Sequence, residues 1–137
     1  MLLLPRSFGI SPEISVIAHS EKEIEELSQI GIVFAMEHEA DEKRARIFGL
    51  IIEELGIFLA KHGFKDGKPH TINARLVAKN EDLIIRMRDD CKPLNIKEYY
   101  KFLSTFEEKV GLSIILKMSK EVVYTPTFGA NNLILKI

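Results

Sequence analysis

Glu54, Phe58 and His62 stand four residues apart in one apolar stretch, so a helix there projects a carboxylate, a phenyl ring and an imidazole in a single row. A carboxylate can handle a proton, but a phenyl ring offers no ligand atom to a hard cation that wants oxygen. On residue type alone, Glu53 and Glu54 read as ordinary solvated helix glutamates. A second cluster, Arg88-Asp89-Asp90-Cys91-Lys92-Pro93, closes a strand-like run. A buried aspartate at such a place needs a hydrogen-bond partner, because unpaired burial is costly. Aspartates also commonly begin turns, which is the plainer reading. Cys91 has no identifiable base partner in the sequence, which argues against nucleophilic cysteine chemistry. His19, His38, His62 and His70 are scattered and form no cluster of zinc spacing, so no metal ligand set is predicted. There is no phosphate-binding Gly-rich loop and no Gly-x-Ser-x-Gly.

The elements that must position these residues follow from periodicity and punctuation. Leu2 to Leu4 reads as a short strand, and Glu13 to Ala18 alternates with the period of a half-buried one. Ser20 with Glu23 has the form of a capping box. The helix it opens is predicted to bury Ile24, Leu27, Ile30, Val33 and Phe34. A second helix runs from Asp41 or Glu42 to about Lys61, apolar on more than one stripe, and is predicted to be largely buried with Ile51 and Leu55 inaccessible. Asp66-Gly67 and Pro69 mark a turn. Thr71 to Val77 and Leu83 to Arg88 read as a hairpin about Asn80-Glu81-Asp82. Ile96 to Leu103 is a short helical candidate and Val110 to Ser119 a better one, entered through Gly111. Glu121 to Thr125 and Leu133 to Ile137 complete the strands, with Pro126 to Asn132 turning between them. The pattern predicts an α+β two-layer sandwich, helices on one face of a mixed, mostly antiparallel sheet.

The 137 residues read as one domain, 1–137. A formal net charge of −1 argues against an electrostatically driven nucleic-acid binder. No apolar run approaches bilayer length, so no membrane insertion of this domain is expected, and a single cysteine suits a reducing cytosol.

The segments Glu53 to Phe64, Arg88 to Pro93, Val110 to Ser113 and Thr127 to Ile137, in that order and spacing, resemble the ATP-binding domain of the GHKL superfamily. The nearest likeness is its histidine kinase-like and anti-sigma-factor serine-kinase branch. Asp-Asp-Cys-Lys-Pro is also similar to a subgroup attached to multidrug-efflux (MATE-like) transporters. The resemblance implies the Bergerat type of sandwich, ATP or ADP as ligand, and Glu54 as general base or water-orienting residue. It implies Asp89 as acceptor of the adenine amine. Cys91 and Lys92 would lie beside it, where the family prefers glycine at the cysteine position. Gly111 and Leu112 correspond to a glycine box whose backbone amides meet phosphates at a helix start, and Asn131 or Asn132 to a polar support for the aspartate. Phe58 stands where the family carries the magnesium-binding asparagine, which makes magnesium doubtful.

These readings leave three functions. The first is a degenerate, regulatory nucleotide-binding domain working through a protein partner, either a regulatory protein or an attached transporter. The second is an ATP-dependent serine/threonine protein kinase, and the third is a scaffold whose pocket Phe58 and Cys91 fill. A cytoplasmic location is expected, tethered to a membrane protein if the chain is a fragment, and a homodimer is compatible with all three.

Overall fold

The computed structural model describes residues 11–137 apart from 65 and 104. The strand read at Leu2 to Leu4 lies outside the described residues. The elements are β1 (Glu13–Ala18), α1 (Glu21–Glu37), α2 (Glu42–Gly63), β2 (Ile72–Lys79), β3 (Asp82–Asp89), α3 (Ile96–Tyr99) running into a single 3₁₀ turn (Tyr100–Phe102), α4 (Phe106–Met118), β4 (Glu121–Thr127) and β5 (Ala130–Lys136). The strands form one sheet in the order β1-β2-β3-β5-β4. All four pairings among the described residues are antiparallel.

Both two-residue turns follow from backbone chemistry. Asn80 and Glu81 take φ of 51° and 68°, and Phe128 and Gly129 take 40° and 77°. Positive φ at both central positions gives a turn whose twist matches the flanking strands. The second hairpin is therefore tighter than its sequence suggests. Pro126 and Asn131 pair across β4 and β5, and so do Thr127 and Ala130. Pro126 is tolerated because β4 is an edge strand, where a missing N–H costs no ladder bond.

One face of the sheet carries Ile72, Ala74, Leu76, Leu83, Ile85, Met87, Leu133 and Leu135, all buried under the helices. The other face presents Arg75 directly opposite Arg86, with Arg88 two residues further along β3. All three arginines are exposed.

Helix α2 runs through the middle of the helical layer, between α1 and α4. Asp41 caps it, accepting from the Arg44 amide at 2.7 Å, while the Arg44 guanidinium donates to the carbonyls of Glu81 (2.5 Å) and Ile137 (2.8 Å). Ile51 and Leu55 are fully buried, as predicted. The α1–α2 contact is close because α2 presents Gly49. A Cβ there would fall 2.5 Å from Ile32 Cγ1, and the Gly49 carbonyl accepts from the Ser28 hydroxyl at 2.7 Å. That contact shifts the buried stripe of α1 to Ile24, Leu27, Ser28, Gly31, Phe34 and Ala35. Ile30 and Val33, predicted inside, are 38% and 56% exposed. Ser20 caps α1 as expected, but Glu23 bonds the amide and ring of His19 rather than the amide of Ser20.

Candidate functional site

Asp89 ends β3, opposite Ile72 on one side and Asn131 on the other. It is 4% exposed and satisfied by its own chain. Its Oδ1 accepts from the Cys91 amide at 3.0 Å and from Asn131 Nδ2 at 2.8 Å. Asn131 Nδ2 also donates to the carbonyls of Cys91 (3.3 Å) and Lys92 (2.9 Å). Its Oδ1 accepts from the Leu94 amide (3.1 Å) and the Tyr124 hydroxyl (2.5 Å). The Cys91–Leu94 loop is thus wrapped around one amide side chain. Cys91 is buried against the end of α2: a Cβ on Gly63 would meet its sulfur at 2.6 Å. Burial first, then the charge of Asp89, pushes the Cys91 thiol up to about 12, so it is inert as a nucleophile at neutral pH. Lys92 is exposed.

Nine residues before Gly63, about 13 Å along the helix axis, Glu54 lies against α4. A Cβ on Gly111 would fall 2.5 Å from Glu54 Oε2. Partial burial, with the neighbouring Glu53 charge as the lesser cause, raises the Glu54 carboxyl above its ordinary value. Between these two ends the strip is aromatic. Phe58, 6% exposed, packs 4.5 Å from the His62 ring and edge-on to Tyr99 at 5.4 Å. His62 Nδ1 lies 3.1 Å from the Tyr99 hydroxyl, and its Nε2 lies 3.3 Å from Glu108 Oε1. Rings therefore occupy the position one turn after Glu54.

The helix expected to open at Gly111 begins earlier. Thr105 caps α4, its hydroxyl accepting from the Glu108 amide at 3.4 Å. Gly111 and Leu112 consequently fall in the second turn, past the first-turn amides that could meet a phosphate, and Leu112 is buried in the core. The first turn itself carries Glu107 and Glu108, whose charges already complement the helix dipole and repel an anion.

The fold thus brings Glu54 to Gly111, and Asp89 to Cys91, Lys92 and Asn131, as two groups flanking the Phe58 ring. Asn132 bonds Thr127 instead of the aspartate. Sequence reading missed Tyr99, Glu108 and Tyr124, whose partners lie 37, 46 and 7 residues away; only the alternation of β4 placed Tyr124 on the inner face. An open groove of about 640 Å³ lies far from this strip, at the β2–β3 turn, lined by Pro12, His38, Arg44 and Glu81 among others. It contains none of the predicted site residues. The buried carboxylate of Asp89 and the partly desolvated carboxyl of Glu54 lie along the α2 strip instead.

No protein-family model matches the chain, and no curated protein matches it either. Among solved structures it is similar to the histidine kinase domain of the EL346 blue-light activated histidine kinase from Erythrobacter litoralis. The TM-score is 0.57 over 93% of this chain and 67% of that one, at 14% identity. The chain has a histidine kinase-like α+β fold. At that identity the likeness defines architecture, and chemistry has to be argued from the residues themselves. No helix among the described residues is long and apolar enough to cross a membrane.

Proposed function

We propose that this domain is a degenerate histidine kinase-like module that regulates a protein partner and binds adenine nucleotide weakly or not at all. The observation that carries the reading is Phe58, buried one turn from Glu54 and packed on His62 and Tyr99. Phosphoryl transfer depends on positioning and on neutralising phosphate charge, largely by a metal. At this position the chain supplies rings, and at the start of α4 it supplies Glu107 and Glu108. Neither welcomes a triphosphate and its magnesium ion. Asp89 would serve the adenine amine, with Cys91, Lys92 and Asn131 around it. Its Oδ1 already accepts from the Cys91 amide and from Asn131, so a base amine would have to use the second carboxylate oxygen. The partner would be a regulatory protein or an attached transporter, met on the cytoplasmic side.

One observation favours the active-kinase alternative: Glu54 sits partly desolvated against Gly111 with its carboxyl raised, the direction a general base needs. A calorimetric titration with ATP, with and without magnesium, separates the readings. Weak, metal-independent binding or silence is expected. Tight binding that requires magnesium would overturn the regulatory reading in favour of the kinase.

A further inference from the structure

The fold assembles one group of side chains that the sequence scatters. His70 lies between α2 and β2, Asp66 lies four residues before it, and Asp90-Cys91 follows β3 directly. The His70 ring stacks on Phe64, with centroids 5.4 Å apart and planes 17° apart, and its side chain is 8% exposed. Nδ1 stands 3.0 Å from Asp90 Oδ1 and Nε2 stands 2.6 Å from Asp66 Oδ1. The donor atoms of His70, Asp90 and Cys91 all lie within 4.8 Å of one another.

This is one nitrogen, one oxygen and one sulfur converging from two loops, the donor types that zinc accepts together. Two ligands bonded at about 2 Å to one tetrahedral ion stand about 3.3 Å apart, close to the His70–Asp90 separation. Drawing the widest pair in by about 1 Å would complete the set at ordinary zinc–ligand lengths. Asp66 then stands behind the ring on the other nitrogen, where a carboxylate fixes the tautomer and orientation of a metal-bound histidine.

We propose that His70 Nδ1, Asp90 and Cys91 Sγ bind a divalent ion of the zinc class, with Asp66 as positioning residue and a fourth place for water. Binding displaces the Nδ1 proton, which otherwise serves the Asp90 carboxylate, and the thiol proton of Cys91, so affinity falls as the solution is acidified. An ion here ties the loop after α2 to the exit of β3, one residue from Asp89. The inference is independent of whether nucleotide binds.

Cobalt is the probe. The protein is stripped with a chelator, dialysed and titrated with Co²⁺, and absorption is followed from the near ultraviolet to the visible. The expected result is saturation at one equivalent, with tetrahedral visible bands and a thiolate-to-cobalt charge-transfer band, both reversed by added zinc. Cys91→Ser removes the charge-transfer band. His70→Ala weakens binding at least tenfold, whereas Asp66→Asn weakens it about tenfold with the band retained. His38→Ala, at a surface histidine between two glutamates, changes nothing. A wild-type protein that gives no charge-transfer band at stoichiometric cobalt overturns the proposal without recourse to any variant. Binding that survives both Cys91→Ser and His70→Ala also overturns it, as attachment elsewhere.

Discussion

The two ends of the α2 strip differ in what holds them. At the Gly63 end, Asp89 and Asn131 form a buried polar network in which the Asn131 amide serves five partners. Nearer Glu54, the contacts are Phe58 on His62 and Tyr99, with a glutamate at the edge. The polar end would be retained for stability whether or not a ligand ever arrives, because a buried carboxylate without donors is expensive. It therefore says little about nucleotide binding by itself. On the proposed reading the aromatic end decides function, since a ring and a hydrated cation cannot share that place.

Mutations at the two ends sharpen this contrast. The largest effect is expected from Phe58→Ala, which removes a buried ring and leaves a cavity beside His62 and Tyr99; it should lower unfolding stability by about 4 kcal/mol in urea denaturation. Asn131→Ala should cost about 3 kcal/mol, since it leaves Asp89 short of a donor and the Tyr124 hydroxyl without its acceptor, and removes one of the two acceptors of the Leu94 amide. If Asn131→Ala proved nearly neutral, the polar end would not be the structural element described here. Gly63→Ala forces the Cys91 sulfur aside and should cost about 1–2 kcal/mol, read in the same assay.

The smallest effect belongs to Glu54. Its folded-state carboxyl is raised above the ordinary 4.5, so the folded chain holds this proton more tightly than the unfolded one. The contribution to stability falls as pH rises through the raised value, and ionised Glu54 is a mild burden at neutral pH. Glu54→Gln should be slightly more stable than wild type at pH 7, with the difference fading as pH falls through the raised value towards 4.5. Thermal melts across pH check the sign.

Much of the fold was legible because its signals are local. Ser20 and Asp41 cap helices, and the apolar crowding of Ile51 and Leu55 places α2 inside. What escaped notice depends on contacts between distant segments. Ile30 and Val33 look as apolar as their neighbours, and only the Gly49 notch of α2 decides which side of α1 is covered. Val110-Gly111 looked like a helix entry, but Thr105 supplies the cap a turn and a half earlier. Arg75, Arg86 and Arg88 sit on two strands and converge only through hairpin register. The row Glu54, Phe58, His62 was readable from helical spacing, whereas Tyr99 and Glu108, which close over it, come from elements that sequence alone does not aim.

The most direct test compares thermal melts of wild type and Phe58→Asn, each with 1 mM ATP, with and without magnesium. A site with a dissociation constant near 10 μM would gain about 2.7 kcal/mol under these conditions, or roughly 10 °C in a domain of this size. The account predicts no magnesium-dependent rise for wild type. It predicts a lower melting temperature for Phe58→Asn, together with a magnesium-dependent rise that wild type lacks. A wild-type protein already raised by about 10 °C only when magnesium accompanies ATP would contradict it.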